Sequence, residues 1–396
     1  MNKIRKSKIY STVKMHLILL AVCVYLSAGI SCYGMEITVG PYLQNAADTS
    51  MTIIWLTSAK STSWVKYDTT DKLSKKAFSS HDGMIDADNI IHSITIDNLK
   101  PNTVYKYQVF SKEILQFGSY KVKYGPIVSS SVYQFKTLSR DVDEISFLVL
   151  NDLHNHVEIM KRLMGLSGSR DFDMVFLNGD ILENLDHESY IVSKVLQPCT
   201  ELFASKVPFV YIRGNHETRG KFARILKKYL TLSHNRYYYS FDYGPVHFVI
   251  MDGGEDKADS HWAYSGLADY DRYRDMQTQW LRTEIKSNAW KKAGFRIVIM
   301  HIPPGKSEKW RGADYIYKNW RPLFNQGDLD LMICGHTHEY KMIAPQKGEY
   351  DYPMLIGGAP KKDMATVIRV DVSLNKINAV MTRDDGEVVG TYEIKK

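Results

Sequence analysis

Cysteine is scarce in this chain: four residues in 396, none in paired short spacing. That excludes a disulfide framework and a cysteine-type zinc site as organising features. Cys334 ends the apolar run Leu331-Met332-Ile333-Cys334 and reads as a small buried hydrophobe, not a nucleophile. Internal repeats and low-complexity segments are missing, which excludes solenoids and biased disordered tracts. A large excess of one charge is missing too. The formal charge is +7, but Lys3, Arg5, Lys6, Lys8 and Lys14 lie ahead of an apolar run with no acidic residue before Glu36. Without those five the charge is 7 − 5 = +2, too little to argue for a nucleic-acid partner.

The N-terminus has the grammar of a secretory signal. A basic stretch through Lys14 precedes the apolar run Leu17 to Tyr25 and then the small residues Ser27, Ala28 and Gly29. The run is short of the roughly 20 apolar residues that a membrane span needs. Residues 1–34 are therefore assigned as a signal peptide, with a secreted or periplasmic product and no transmembrane segment after cleavage. Lipid attachment at Cys32 is the minor alternative, because Gly29 stands where such a motif expects leucine.

Two grammars follow. Residues 35–138 read as short strands with polar breaks, such as Met51-Thr-Ile-Ile-Trp55 and Thr103-Val-Tyr-Lys-Tyr-Gln-Val109. This implies an all-β sandwich, and Leu99, Pro101, Thr103, Tyr105 and Tyr107 resemble the corner of a fibronectin type III domain. Residues 139–144 form a polar linker. From 145 to 396 apolar strands alternate with segments of helical spacing at Val157 to Leu163, Tyr190 to Phe203, Lys221 to Tyr229 and Met276 to Ser287. That is an α/β domain, closed by strands after Ala365. The long, charged, tyrosine-rich stretch Glu255 to Asp275 is a candidate lid for substrate selection.

The chemistry lies where apolar strands end. Phe147–Leu150 runs into Asn151-Asp152-Leu153-His154, Met174–Leu177 into Asn178-Gly179-Asp180, and Phe209–Ile212 into Arg213-Gly214-Asn215-His216-Glu217. Ile297–Met300 runs into His301, and Leu331–Cys334 into Gly335-His336-Thr337-His338. Each piece alone is bland: a Gly-Asp after a strand is usually a turn, and an Asn usually a cap. Five strand ends delivering Asp, His and Asn toward one rim is a metal-type pattern.

In that order the five blocks resemble the calcineurin-like metallophosphoesterase superfamily. Gly40-Pro-Tyr-Leu-Gln-Asn45 and Thr49-Ser-Met-Thr52 before Trp55 resemble the N-terminal domain of purple acid phosphatases. The resemblance implies a four-layer α/β domain with two central sheets flanked by helices. It implies two metal ions (Mn, Zn or Fe): one on Asp152, His154 and His338, the other on Asn215, His301 and His336, with Asp180 bridging. Asp180 and His216 become the catalytic pair, His216 assisting the leaving group while a metal-activated water attacks phosphorus. Arg213, Asn184 and His216 become the substrate-binding set, and a small-molecule phosphate monoester the substrate. Two positions depart from the purple enzymes: Glu183 stands where their metal-binding tyrosine lies, and His154 where they lack a histidine ligand. Loss of the phenolate implies a colourless protein.

Other readings remain on the same residues. A phosphodiesterase or nucleotide pyrophosphatase would use the same two-metal site. A non-catalytic surface binding protein is a third reading, weighed against retention of every ligand position. A zinc β-lactamase-type hydrolase needs a His-x-His-x-Asp-His run, which is absent. Oligomeric state is not legible.

Overall fold

The computed structural model describes residues 34–167 and 171–396. The signal assignment for 1–34, and Cys32 with it, lies outside the described residues apart from Gly34. Among the described residues no helix is long and apolar enough to cross a membrane.

Two long strands build the front domain. The first half of Met51–Asp68 pairs with Ile37–Gln44 and Asn89–Ile96; its second half pairs with Val104–Phe117 and Lys75–Ala77. Val104–Phe117 continues the ladder to Val122–Ser129 and Tyr133–Lys136. The result is a β-sandwich around Ile53, Trp55, Val65, Ile94, Tyr107 and Phe135. The Tyr105 hydroxyl accepts from Lys100 N at 3.0 Å, which fastens the corner expected from Leu99 to Tyr107.

The second domain holds two six-stranded sheets. In one the order is Phe209–Ile212, Met174–Asn178, Ile145–Leu150, Thr366–Ser373, Lys376–Arg383, Val388–Lys395. In the other it is Tyr239–Tyr243, Val246–Met251, Phe295–Met300, Leu331–Cys334, Met354–Ile356, Lys341–Ile343. Strand period explains the layering. Phe147 and Val149 point inward with Phe176, Phe248, Ile297 and Ile299, making the core between the sheets. Their neighbours Leu148 and Leu150 point outward to the helix Val157–Gly165, whose buried Ile159, Met160, Leu163 and Met164 share one face. The other sheet sends Val249, Met251, Val298 and Met300 outward to the helices that carry Leu281, Ile316, Trp320 and Phe324. Two sheets with helices on both outer faces make four layers.

The domains are bolted together by hydrogen bonds to main-chain groups. Tyr42 OH donates to Tyr229 O at 2.8 Å, Tyr107 OH to Ser205 O at 2.8 Å, and Thr231 N to Gln44 Oε1 at 2.8 Å. Buried Val39, Tyr42 and Ile54 join the outer core of the first sheet.

Three helical expectations change, the first being Lys221 to Tyr229, which forms a 3-10 helix over Lys221–Lys228. Tyr190 to Phe203 is helical but wide: Ile191–Leu196 and Thr200–Ala204 are π turns on either side of Gln197–Cys199. Pro198, which has no N–H to donate, sits in that middle piece. The helix expected from Met276 begins earlier, as Tyr270–Glu284. Its start is set from a distance, because the Asp259 carboxylate accepts from Tyr270 N and Asp271 N at 2.9 and 3.0 Å. The stretch read as a lid therefore ends as the first turn of a helix, and its beginning is anchored by buried Glu255 and Asp256.

Candidate metal centre

Three parallel strands of the first sheet and two of the second end at the same rim. Main-chain bonds zip their loops together: Asp152 N donates to Gly179 O at 3.0 Å, His154 N to Asp180 O at 2.9 Å, and Gly335 N to His301 O at 2.9 Å. The turns are tight enough that Asp152, His154, Asp180, His336 and His338 all sit at positive φ, between 44° and 72°. Left-handed backbone costs a non-glycine residue about 1–2 kcal/mol, and it persists only where the surroundings enforce it. The adjoining glycines are needed for closeness: a Cβ on Gly214 would run into Asp180 Oδ1, and one on Gly335 into Asp152 Oδ2.

The side chains fall into overlapping groups, one of them His154, Glu183 and His216. Ligand atoms of Asp152, His154, Asp180 and His338 lie within 4.8 Å of one another, and so do those of Asp180, His301 and His336. Asp180 belongs to both. Asn215 joins the group of His301 and His336, its Oδ1 accepting from His336 Nδ1 at 3.0 Å.

The orientation of each group tests whether a cation fits. Asp152 Oδ2 is fully used, accepting from His336 N at 2.8 Å and Asn151 Nδ2 at 2.6 Å. Its Oδ1 is buried without a hydrogen-bond partner, 3.4 Å from His338 Nε2 and 3.8 Å from His154 Nε2. His301 Nδ1 donates to Asn178 O at 2.8 Å, which turns Nε2 to Asp180 Oδ2 at 3.0 Å without hydrogen-bond geometry. His154 Nδ1 is held by Glu183 Oε2 at 2.6 Å, which turns Nε2 to His338 Nε2 at 3.2 Å. Ligands ~2.1 Å from a shared ion stand about 3–4 Å apart, the spacing of these atoms. Imidazole nitrogens and carboxylate oxygens suit Mn, Zn or Fe. The residues fit.

Charge points the same way. Burial alone would raise Asp152 and Asp180, but His301 and its neighbours hold both carboxyls below the usual range. Conversely, burial would lower His301, yet Asp180 and Asp152 raise it to about 10. Two buried carboxylates thus draw positive charge onto the nearest imidazole.

Four residues outside the expected set complete the site. Glu217, fully buried, accepts from Asp180 N, Gly214 N, Leu182 N and Tyr211 OH at 2.8–2.9 Å. It is the strut that ties the Gly179-Asp180 and Gly214-Asn215 loops. Asp256 lies 3.1 Å from His336 Nε2 and accepts from Asn215 Nδ2 at 3.3 Å, a carboxylate behind two of the side chains expected to hold metal. Glu183 performs the same task for His154. Arg219 Nη1 donates to His216 Nε2 at 2.9 Å while its Nε pairs with Glu255 at 2.6 Å. The available signals were faint: the Glu that closes Asn215-His216-Glu217, and the acidic pair after Gly253-Gly254.

His216 has its Nδ1 donating to Glu183 O at 2.7 Å and its N donating to Asp180 Oδ1 at 2.9 Å. Nε2 lies at the cleft wall, where it accepts from Arg219 Nη1 at 2.9 Å. Burial lowers its pKa, and Arg219 adds to this against the pull of Asp180. The other two expected substrate contacts are placed differently. The Arg213 guanidinium is committed to Asp252 at 2.6 Å and stacked on Tyr237, and it lines a neighbouring cleft, not the one over the ligands. Asn184 Oδ1 accepts from Asp186 N at 3.4 Å, closing a turn. The guanidinium over the ligands is Arg219. The cleft there has a volume of about 760 Å³, with Trp310, Ile343, Tyr350 and Met354 as an apolar wall and Lys257 and Lys341 on its rim.

Comparison with known proteins gives the same picture. The family model described as Calcineurin-like phosphoesterase matches residues 145–340, and that described as Purple acid Phosphatase, N-terminal domain, matches residues 39–137. Purple acid phosphatase 21 of Arabidopsis thaliana is 27% identical over 275 residues, covering 64% of this chain and 54% of that protein. Acid phosphatase type 7 of Mus musculus is 23% identical over 333 residues, 78% of this chain and 70% of that protein. The chain thus spans little more than half the length of the first of these relatives. Among solved structures, purple acid phosphatase PPD1 from yellow lupin (Lupinus luteus) seeds superposes with a TM-score of 0.67 at 15% identity, covering 90% of this chain and 74% of that one. The likeness in fold runs through both domains, and the two family matches fall on the domains that the structure separates. The chain belongs to the calcineurin-like phosphoesterases, with a purple acid phosphatase N-terminal domain in front.

Proposed function

We propose that this chain hydrolyses phosphate monoesters of small molecules at a two-metal centre. Asp152, His154 and His338 would hold one ion; Asn215, His301 and His336 would hold the other, with Asp180 between them. When bound, the metal pair supplies the charge that neutralises phosphoryl oxygens and the acidity that makes water a nucleophile at neutral pH. In the reaction water adds its oxygen to phosphorus, the bond to the alcohol oxygen breaks, and a proton passes to that oxygen.

The chain's own residues supply the rest. Asp152 and Asp180 present one carboxylate oxygen each, because the other is occupied by main-chain or amide donors. His216 lines the cleft, held through Nδ1 by Glu183 O, and its Nε2, which accepts from Arg219, is the atom that would turn to a leaving oxygen. Arg219 lies beside it, ion-paired with Glu255 through Nε, and brings its guanidinium to the wall of the cleft. Secretion or a periplasmic location is part of the proposal and rests on the composition of residues 1–34.

The observation that carries this reading is the pair of orphaned buried atoms, Asp152 Oδ1 and His301 Nε2, facing one another across a ring of metal-type side chains. The test is hydrolysis of p-nitrophenyl phosphate and its bis-ester by the metal-loaded protein, with Asn215→Ala as control. Metal-dependent release from the monoester, lost in the control, is the expected result. Silence on both esters with Mn, Zn and Fe alike would sink the enzyme reading, and a strong preference for the bis-ester would make it a diesterase.

A further inference from the structure

A second cleft, of about 890 Å³, opens beyond Arg219 from the metal ligands. Its lining includes Lys221, Arg224, Lys227, Arg236 and Lys257. The two arginines deeper in it are neutralised, Arg213 by Asp252 and Arg219 by Glu255. The other five cations have no ion-pair partner among the described residues. Arg236 Nε is buried with no hydrogen-bond partner. Burial, and then the neighbouring Arg213, push Lys227 below the ordinary lysine range against the pull of Asp252.

This cleft adjoins the catalytic one, since Arg219 and Lys257 line both. Its opposite wall is the loop after Asp256, through Tyr264, Ser265 and Leu267. That loop is part of the stretch read from sequence as a substrate-selecting lid. The basic residues are a local cluster: beyond the N-terminal five, the whole chain carries only 7 − 5 = +2. A walled pocket of this kind suits a compact anion better than the long track that a nucleic-acid backbone needs.

We propose that the second cleft binds a further phosphate of the substrate. The preferred substrates would then be small phosphoesters that carry another phosphate on the portion that leaves. The scissile phosphate lies at the metal centre, and the second one sits among Lys221, Arg224 and Lys227 across Arg219. The bond cleaved is the one described above, so this inference rests on the phosphoesterase reading for turnover, but not for binding.

The test compares a hexose bisphosphate with the matching hexose monophosphate, on the metal-loaded protein and on Lys221→Glu/Arg224→Glu. Both substituted side chains are exposed, so the core is untouched. The wild-type kcat/KM ratio should favour the bisphosphate by about tenfold, and the variant should lose that preference, as should wild type at high salt. In parallel, calorimetry with bisphosphonate and monophosphonate analogues, whose ester oxygens are replaced by CH2, measures binding without turnover. The bisphosphonate should bind about tenfold tighter to wild type and not to the variant. Equal affinities in wild type, or a preference that survives the double substitution, would overturn the proposal. If neither the sugar phosphates nor the p-nitrophenyl esters are hydrolysed while the bisphosphonate preference holds, the phosphoesterase reading fails and the cleft assignment stands.

Discussion

Glu183 Oε2 accepts from His154 Nδ1 at 2.6 Å, so the two positions that depart from the purple acid phosphatase pattern are in contact. The departures are one change, not two. The carboxylate at 183 orients the imidazole at 154, and the imidazole offers Nε2 to the group containing Asp152 and His338. Replacing Glu183 by Gln removes the charge but keeps the size. Carboxylates behind a metal-bound histidine typically matter 10–100-fold in affinity. We expect E183Q to lose about that factor at one of two Zn or Mn sites in a calorimetric titration, with the other site unmoved. An unaltered two-site titration would refute the role.

Iron-loaded protein should lack an intense visible band. The groups assembled at the centre are His, Asp and Asn, and Glu183, bonded to His154, stands where the purple enzymes carry their metal-binding tyrosine. An absorption spectrum of the Fe(III)-loaded chain decides this directly.

His216→Ala should lower kcat on p-nitrophenyl phosphate by about 10²–10⁴, the range of a positioned acid–base group. Metal content should stay at two per chain by elemental analysis, because the ring is occupied by Glu183 O and Arg219. Loss of metal together with activity would make His216 a ligand instead.

Glu217→Ala should destabilise the metal-free protein by on the order of 3 kcal/mol in urea unfolding. It would strand the N–H groups of Asp180, Leu182 and Gly214 and the Tyr211 hydroxyl, all of them buried around it. A cost under about 1 kcal/mol would mean that water or relaxation replaces the strut.

His247 gives a pH signature outside the His/Asp clusters of the candidate metal centre. It is buried between Asp242 Oδ1 at 2.6 Å and Glu284 Oε1 at 2.9 Å. Burial alone would lower its pKa, but the two carboxylates outweigh it and raise the group above its ordinary value. A raised histidine contributes stability that is fully present below about pH 6.5 and lost as pH rises through the folded value. Glu284 has the opposite sign: although burial opposes it, bonds from His247 and Ser240 lower it, so its contribution fades as pH falls through its own folded value. Wild type minus His247→Gln, followed by thermal unfolding, should therefore be largest near pH 6, at roughly 2 kcal/mol, and shrink toward pH 9. A difference independent of pH would show that the ring acts only through packing.

The strands and their ends were legible because burial on two faces leaves continuous apolar runs, as in Phe147–Leu150 and Ile297–Met300, and breaks them where polar ligands begin. The helix at Tyr190 to Phe203 was legible as a helix but not in its π turns, since hydrophobic spacing does not report which carbonyl each N–H reaches. The start of the helix at Tyr270 was hidden because its cap, Asp259, is eleven residues away. Arg213 and Arg219 illustrate the same limit: both flank the Asn215-His216 motif, and only packing shows that Asp252 claims one and leaves the other beside His216.

Sequence by itself determined the two-domain order, the alternation of apolar strands, and the residue types at five strand ends, because these depend on local period and composition. Tertiary structure decided which atoms of those residues are free. Asp152 Oδ1 and His301 Nε2 face the centre only because Asn151, the His336 main chain and Asn178 O occupy their other sides. It also decided that Glu183 meets His154 and that Arg219 borders two clefts, since both relationships join loops that meet only after the sheets have packed.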